Sequence, residues 1–321
     1  MQKWGKTSAG KQRYRCKHCN SSAIKRRNDL VNRYDIKHFV KWLNDTNHID
    51  DLIDILCVSR STIFRRFKPL WKHVPKPRHE LVANNPISLA IDATSTNKSR
   101  TGKLVVLIAQ DTHCRKPIYW SFAAVENTTS WQQLMKYCPQ PKYVVCDGQK
   151  GLLKALKLQW SNTKIQRCLI HITGGAKSKL SNKPRTKAGK ELLALIKQIH
   201  NVTTHEKRIR WIHDYKKWHD NHYDFLLDRS FNSNPDGRPT WWYTHRGVRA
   251  VRSLINNALP NMFLHIDCPV PSTSNHVEGG INSRLKELIK SHRGLSSVKK
   301  IVLISWFLAL KQGQKPTRND T

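Results

Sequence analysis

Acidic residues are scarce in this sequence. Asp and Glu number 22 against 57 Lys and Arg, which gives a formal net charge of +35 over 321 residues. Hydrophobic residues make up 38% of the chain, enough to form cores, so the charge does not belong to a disordered basic tail. Such an excess indicates a polyanionic partner, and we expect nucleic-acid binding that weakens steeply with salt. A ribosomal protein, a cationic surface protein or a very basic enzyme are the alternatives.

Long apolar runs are also missing. The longest, Ile301–Leu310, is too short to span a bilayer, and the N-terminus has no apolar signal-peptide core. The eight cysteines lie in unlike settings, and a single C-x-x-C occurs. We therefore expect a protein of the reducing cytoplasm, without a membrane segment and without a disulfide framework.

That single C-x-x-C, Cys16 and Cys19, indicates a partial zinc ribbon over residues 1–27, with a strand at Gln12–Arg15 leading into it. A structural Zn²⁺ takes four ligands, commonly two such pairs. Three alternatives remain: the natural start lies upstream of Met1, His18 or a second chain completes the site, or no metal binds.

Residues 28–78 are predicted to form a helix-turn-helix. Helices are expected at His38–Asn44, Ile49–Leu56 and Arg60–Lys68, with Ser59 or Ser61 as the N-cap of the third. On that third helix, five side chains occupy the positions from which a recognition helix contacts DNA: Arg60, Ser61, Thr62, Arg65 and Arg66. The alternative is a three-helix bundle with a solvated basic face.

A proline-rich linker, Pro75–His79, separates this region from an α/β segment. Strands are predicted at Ile87–Asp92, Lys103–Ala109, Pro117–Val125, Tyr143–Asp147 and Lys164–Ile172, and helices at Ser130–Tyr137 and Lys150–Gln159. Short links predict an antiparallel meander, and the later strand–helix–strand units predict parallel crossovers. We expect a mixed sheet from residues 86–172 and 271–312, with a helical insertion at 173–270. Within the insertion, helices are predicted at Lys187–Ile199, Thr204–Leu227 and Thr244–Leu259.

Three acids stand out against the positive background. Asp92 and Asp147 end buried-looking strands, and Glu278 lies within a segment, from Ser274 onward, that is expected to be helical. A buried carboxylate is unfavourable unless it is paired or holds a metal, and Mg²⁺ prefers oxygen ligands. The pattern predicts a divalent-metal site for phosphoryl transfer. The alternative is three unrelated surface or capping acids.

Four segments carry a resemblance to a known family: Cys146–Leu152, Gln166–His171, Trp241–Arg249 and Ser274–Lys286. Together with the order of the acids, they make the chain similar to bacterial insertion-sequence DDE transposases of the Mutator-like branch. The resemblance covers nearly the whole chain, and the N-terminus departs from it, where such proteins often carry a fuller zinc ribbon.

The resemblance implies a ribonuclease H-like core in which Asp92, Asp147 and Glu278 hold two Mg²⁺ or Mn²⁺ ions. It also implies that the protein binds the terminal inverted repeats of an element, cleaves DNA and joins the end to target DNA, as a homodimer or larger synaptic assembly. A non-catalytic regulator derived from such an enzyme, and a nuclease or resolvase on the same fold, are the alternatives.

Several further residues are candidates for supporting roles. His171 could donate a hydrogen bond to the scissile phosphate, or it could be a structural histidine with its own partners. Cys168 is expected on the opposite face of the same strand, in the core. Asn282 could orient the carboxylate of Glu278 or contact the backbone. Arg284 and Lys286 follow on the same helix as candidates for DNA contact. Trp241, Trp242 and Arg246 could stack on an unpaired base, although tryptophan pairs are more often core.

Overall fold

The computed structural model describes residues 1–24, 33–44, 49–78, 86–95, 104–233 and 239–314. The chain forms two compact units, one built from Met1–Pro75 and the other from Lys76–Gln314. In these ranges no helix has the length and apolarity that crossing a membrane requires. The predicted residues 25–32 of the N-terminal region, together with Lys103 and His79, lie outside the described residues.

The first unit begins with a small antiparallel sheet. Its strands, β1 (Gln2–Lys6), β2 (Gln12–Arg15) and β3 (Ser22–Ile24), are arranged in sequence order. The predicted strand at Gln12–Arg15 is confirmed, and it ends directly before Cys16. Almost every residue of the outer strands is exposed, so this sheet has little apolar core.

Three helices complete the first unit: α1 (Arg33–Asn44), α2 (Ile49–Leu56) and α3 (Arg60–Phe67). Ser59 is the N-cap of α3 and accepts a hydrogen bond from the Thr62 backbone amide, which decides between the two serines proposed. The helices pack around four aromatic rings in mostly edge-on contacts: Phe39, Trp42, Phe67 and Trp71. The predicted helical elements are thus confirmed.

The second unit contains a five-stranded mixed sheet. Its strands are β4 (Ser88–Ser95), β5 (Val105–Asp111), β6 (Pro117–Ala123), β7 (Tyr143–Cys146) and β8 (Lys164–Arg167), in the order β6-β5-β4-β7-β8. β4, β5 and β6 are antiparallel, whereas β7 and β8 run parallel to β4. The predicted meander followed by parallel crossovers is confirmed.

One face of this sheet is covered by α4 (Thr128–Lys136) and α5 (Lys150–Gln159). Their apolar residues, including the fully buried Trp131, join alternate residues of the strands in one core, to which Ile91 and Cys146 belong. Because side chains alternate along a strand, Ala90, Asp92 and Val145 lie on the other face. Asp92 therefore lies on the face of the sheet opposite α4 and α5.

The fifth strand is shorter than predicted. β8 ends at Arg167, and Cys168 is the N-cap of α6 (Leu169–Leu180). The apolar run Cys168–Ile172 belongs to the first turn of this helix. Over so few residues, the periodicity of apolar residues cannot distinguish a buried helix from a buried strand. The prediction of a strand as far as Ile172 was wrong, and His171 is helical.

The remaining helices of the middle region are α7 (Lys187–Gln198), α8 (His205–Asn221), α9 (Tyr223–Leu227) and α10 (Arg246–Ala258). With α6 they share one apolar core that includes Trp211, Tyr215 and Trp218. The prediction of one helix over Thr204–Leu227 was wrong, because the chain turns at His222 between α8 and α9. A hairpin of β9 (Arg229–Ser233) and β10 (Pro239–Tyr243) was not predicted.

The last region contains α11 (Asn275–Val277), a π-helical turn at Glu278–Asn282, α12 (Ser283–Ser291) and α13 (Ser297–Gln312). α13 packs against β6, where the Gln312 side-chain amide donates to the Ile118 carbonyl at 3.1 Å. The region therefore returns to the sheet as predicted. Single π-turns inside helices are frequent at functional sites.

Candidate functional site

Asp92 and Asp147 lie beside one another on neighbouring strands. Ile91 of β4 pairs with Cys146 of β7 in parallel register, so the next residue of each strand is one of the two acids. Neighbouring strands are about 4.7–4.9 Å apart, which brings the two backbones close. β4 continues to Ser95 because β5 still pairs with it there, so Asp92 marks the end of the β7 pairing and not the end of its strand.

The Asp92 carboxylate is held by two donors. One oxygen accepts the Ala93 backbone N–H at 2.9 Å, and the other accepts the Asn282 side-chain amide at 2.7 Å. Asp92 and Asn282 are both buried, 7% and 2% exposed. The hydrogen bond ties the π-turn that begins at Glu278 directly to the central strand.

This bond gives Asn282 a partner that was not predicted. Its amide orients Asp92, in addition to any contact with the carboxylate of Glu278, four residues earlier, that helical spacing predicts. The π-turn changes the angular relation between residues of that segment, which helical spacing alone does not reveal. The side chain of Glu278 lies outside the described part of the structure, and its backbone opens the π-turn.

Asp147 is followed by a tight turn built on Gly148 and Arg167. Gly148 has φ +81°, and a Cβ placed there would lie 1.9 Å from the Arg167 guanidinium carbon. Arg167, 4% exposed, donates to the Asp147 carbonyl at 2.9 Å, while the Asp147 carboxylate accepts the Gln149 backbone N–H at 2.9 Å. Only glycine fits this turn without displacing the arginine.

Arg167 was missed as a candidate, although it belongs to a segment that carried the resemblance. Its guanidinium places a buried positive charge under the turn that positions Asp147. A glycine directly after an acid at a strand end is the signal that could have indicated a close approach there.

Cys168 and His171 are neighbours, and the prediction that they face opposite sides was wrong. His171 lies three positions after Cys168, close to one helical turn, at the start of α6. It hydrogen-bonds the Cys168 thiol. Burial raises the pKa of that thiol, but the hydrogen bonds from His171 and from the Ser274 backbone amide outweigh burial and leave the pKa below its usual value.

Cys168 also connects the two sides of the candidate site. Its backbone N–H donates to the Cys146 carbonyl at 2.8 Å, directly before Asp147. Its sulfur accepts the Ser274 N–H at 3.3 Å, four residues before Glu278. The cysteine thus links the strand of one acid to the segment that leads to another.

The recognition-helix candidates differ in exposure. Arg60, Ser61 and Arg65 are exposed, whereas Thr62 and Arg66 are half-buried. Arg60 forms an ion pair with Asp50 at 2.7 Å, and Arg66 lies 3.8 Å from Asp35. Phe64, 47% exposed on the same helix, was not among the predicted contacts.

The N-terminal cysteines flank the turn after β2. The Cys19 sulfur lies 3.0 Å from the Ser21 hydroxyl, and hydrogen bonds from Ser21 and from Cys16 lower the pKa of Cys19 to about 7. Over the described ranges, no cluster of three or more His, Cys, Asp and Glu side chains suited to a metal is found.

On α12, Arg284 pairs with Glu287 at 2.9 Å, and Lys286 is exposed. In the hairpin and α10, Trp241 is 48% exposed, so it is not a core residue as a tryptophan pair usually is. Trp242 is half-buried and Arg246 is exposed.

Comparison with known proteins agrees with the sequence and the fold. A family model described as transposase, Mutator family, matches residues 22–231, about two thirds of the chain. The chain belongs to the Mutator family of transposases. The matched range includes Asp92 and Asp147 and ends before Glu278. A search of curated proteins finds no match.

Proposed function

We propose that this transposase is a DDE enzyme with a ribonuclease H-like core, in which Asp92, Asp147 and Glu278 carry the chemistry. The proposal is supported above all by the parallel register that sets Asp92 beside Asp147. It is supported further by the hydrogen bond from Asn282, which brings the turn beginning at Glu278 to the same face of the sheet.

The donor set suits hard divalent cations. Carboxylate oxygens are the ligands that Mg²⁺ and Mn²⁺ prefer, and Asp92 is oriented by two N–H donors that leave it little freedom to turn. When bound, a pair of such ions would activate the attacking oxygen and stabilise the leaving oxygen of an in-line displacement at phosphorus. Asp92, Asp147 and Glu278 would hold these ions.

The protein residues then have distinct tasks. Asn282 fixes the orientation of Asp92, and Arg167 with Gly148 fixes the position of Asp147. His171, which hydrogen-bonds the Cys168 thiol, remains our candidate for a donor to the phosphate. In cleavage, the oxygen of water attacks the phosphorus and the DNA 3′ oxygen leaves as a hydroxyl, with the phosphate kept on the 5′ side. In joining, that 3′-OH attacks a target phosphodiester and the target's own 3′ oxygen leaves.

The remaining basic residues supply DNA binding. α3 presents Arg60, Ser61 and Arg65 to a major groove, and Lys286 on α12 lies close in sequence to the proposed active site. Because two DNA ends must be brought together, we propose a dimer or larger assembly on the DNA.

The test uses the full chain, Mg²⁺ and a duplex that carries the repeats flanking the coding region. Asp147→Asn is expected to abolish nicking while leaving duplex binding unchanged. Asp220→Asn, which removes an acid 80% exposed on α8, is the matched control and should nick like the parent. Equal nicking by the parent and Asp147→Asn would exclude the DDE assignment, and duplex binding by the parent without any nicking would favour a DNA-binding regulator.

A second substrate separates a transposase from a nuclease. A duplex already cut at the 3′ end of the repeat should be joined to a target plasmid by the parent protein. Cutting of intact repeats without any joining of the pre-cut duplex would favour a nuclease or resolvase.

A further inference from the structure

A groove lies between the β9–β10 hairpin and α10, on a part of the molecule that the proposed active site does not use. Its volume is about 520 Å³, and it is lined by three aromatic residues, three arginines and two small residues: Trp241, Trp242, Tyr243, Arg246, Arg249, Arg252, Ala250 and Ser253. This size falls in the range of pockets that hold small organic groups.

The sequence of α10 builds one wall. One side of the helix faces the groove with residues at helical spacing: Arg246, Arg249, Ala250 and Ser253. The other side is buried in the helical core: Val248, Val251, Ile255 and Ala258. The helix is therefore anchored on one side and basic on the other. In the described residues that line the groove, none is acidic.

The hairpin builds the other wall. Trp241 and Tyr243 are two residues apart on β10, so they share a face, and their rings meet edge-on at 5.3 Å. Arg229, opposite Tyr243 on β9, lies over the Trp241 ring at 4.2 Å. The guanidinium holds the ring in place, while 48% of Trp241 stays exposed.

Arginine contacts order the other rings in the same way. Arg246 lies over Trp242 at 5.4 Å, and Arg249 lies over Tyr243 at 3.3 Å. Arginine stacked on an aromatic ring keeps its N–H groups at the edge of its plane, where a phosphate can accept them. The groove therefore combines flat apolar surfaces with fixed positive donors.

We infer that this groove binds an unpaired DNA nucleotide, with its base against Trp241 and its phosphates against Arg246 and its neighbours. Bases inside a duplex are stacked on each other and offer only their edges, whereas an unpaired base offers the ring face that an exposed indole can contact. The positive lining favours a polyanion over a neutral aromatic ligand. The inference rests on the proposed function only in naming DNA as the polyanion.

Binding is measured in EDTA, so that no cleavage is required. The probes are a fluorescent oligothymidylate, an abasic strand of equal length and a duplex of equal length. Trp241→Ala is expected to weaken oligothymidylate binding about 5- to 150-fold, with the abasic strand and the duplex almost unaffected. Trp241→Phe should restore most of the affinity, because it retains a ring face.

Matched controls separate stacking from general effects. Tyr223→Ala removes an aromatic side chain that is 50% exposed on α9 and outside the groove, and it should change nothing. Arg246→Ala should weaken both single strands, whereas Arg210→Ala, which removes an equal exposed charge on α8, should have a much smaller effect. Equal weakening by Trp241→Ala on the thymidylate and abasic strands would overturn the inference.

A second measurement locates the base directly. An oligonucleotide with a photoreactive 5-iodouracil should cross-link to the peptide that contains Trp241–Tyr243, in the parent and in Asp147→Asn alike. Cross-linking confined to the first unit of the chain would overturn the inference. Cross-linking does not depend on nicking, because Asp147→Asn is expected to cross-link without nicking. If the parent cross-links at Trp241–Tyr243 but does not nick, this inference holds and the proposed chemistry fails.

Discussion

Asn282 donates its side-chain amide to Asp92 at 2.7 Å, and both residues are buried. The two lie 190 residues apart in the sequence. The bond joins the central strand of the sheet to the π-turn that begins at Glu278. One polar contact therefore connects the regions that carry two of the three proposed catalytic acids.

Asn282→Ala should impair nicking by reducing metal affinity. Removing the donor frees Asp92 to turn, and loss of such an orienting partner typically lowers metal affinity or activity about 10- to 100-fold. We expect a higher Mg²⁺ concentration for half-maximal nicking, measured by titration. Asn257→Ala, which removes an exposed amide on α10, is the control. An unchanged Mg²⁺ requirement in Asn282→Ala would contradict this role.

Gly148→Ala should destabilise the second unit. The residue has φ +81°, and the added Cβ would collide with the Arg167 guanidinium at 1.9 Å. We expect the free energy of unfolding in urea to fall by about 1–3 kcal/mol, the range for a strained backbone position, with nicking reduced as Asp147 shifts. Gly174→Ala has open space on an exposed side of α6 and should instead stabilise by about 0.5–1 kcal/mol. Equal stability of Gly148→Ala and the parent would contradict the close packing.

Cys19 should react as a thiolate near neutral pH. Its pKa is lowered to about 7 from an ordinary 9.0, chiefly by the Ser21 hydrogen bonds. The alkylation rate of Cys19, followed by peptide mass spectrometry, should fall as the pH drops through about 7. Ser21→Ala should move the midpoint to higher pH, since the main stabilisation of the thiolate is removed. An unshifted midpoint in that variant would contradict the assignment.

The same experiment tests zinc binding. Cys16 and Cys19 supply two of the four ligands that a structural Zn²⁺ takes. If this turn binds Zn²⁺, the ion should protect both thiols from alkylation at a fixed pH. Unchanged rates with Zn²⁺ present would argue that the turn binds no metal.

Arg65 should contribute more to DNA affinity than Arg66. Arg65 is exposed on α3, whereas Arg66 is half-buried and lies 3.8 Å from Asp35. Removing one arginine–phosphate interaction should reduce the slope of log affinity against log salt by about 1. We expect that reduction for Arg65→Ala, measured by anisotropy with a repeat duplex, and little change for Arg66→Ala. The reverse order would show that α3 faces the DNA differently.

Much of the architecture could be predicted from local sequence. The apolar strands with short links predicted the meander, and the strand–helix alternation predicted the parallel additions, because these patterns depend on period and loop length. The three helices of the first unit followed from helical spacing, and of the two serines considered as the N-cap of α3, Ser59 is the one that caps it. The acids were found because carboxylates are rare in this chain.

Other features depend on contacts between distant segments. The strand that was expected to reach Ile172 ends at Arg167, because Cys168 starts a helix whose apolar residues join the helical core. The strands Arg229–Ser233 and Pro239–Tyr243 were missed, since each is only five residues long and lies in a region that was expected to be helical. Neither can be decided over a few residues without the surrounding packing.

Composition and periodicity are local properties, and they were enough to predict the class of most elements, the positive charge and the acids that are candidates for the site. Three contacts became visible only in the folded chain. They are the pairing of Ile91 with Cys146, the hydrogen bond from Asn282 to Asp92, and the hydrogen bond by which Arg167 supports the turn after Asp147. Register and buried polar partners are set by the simultaneous packing of remote segments, and no local pattern encodes them.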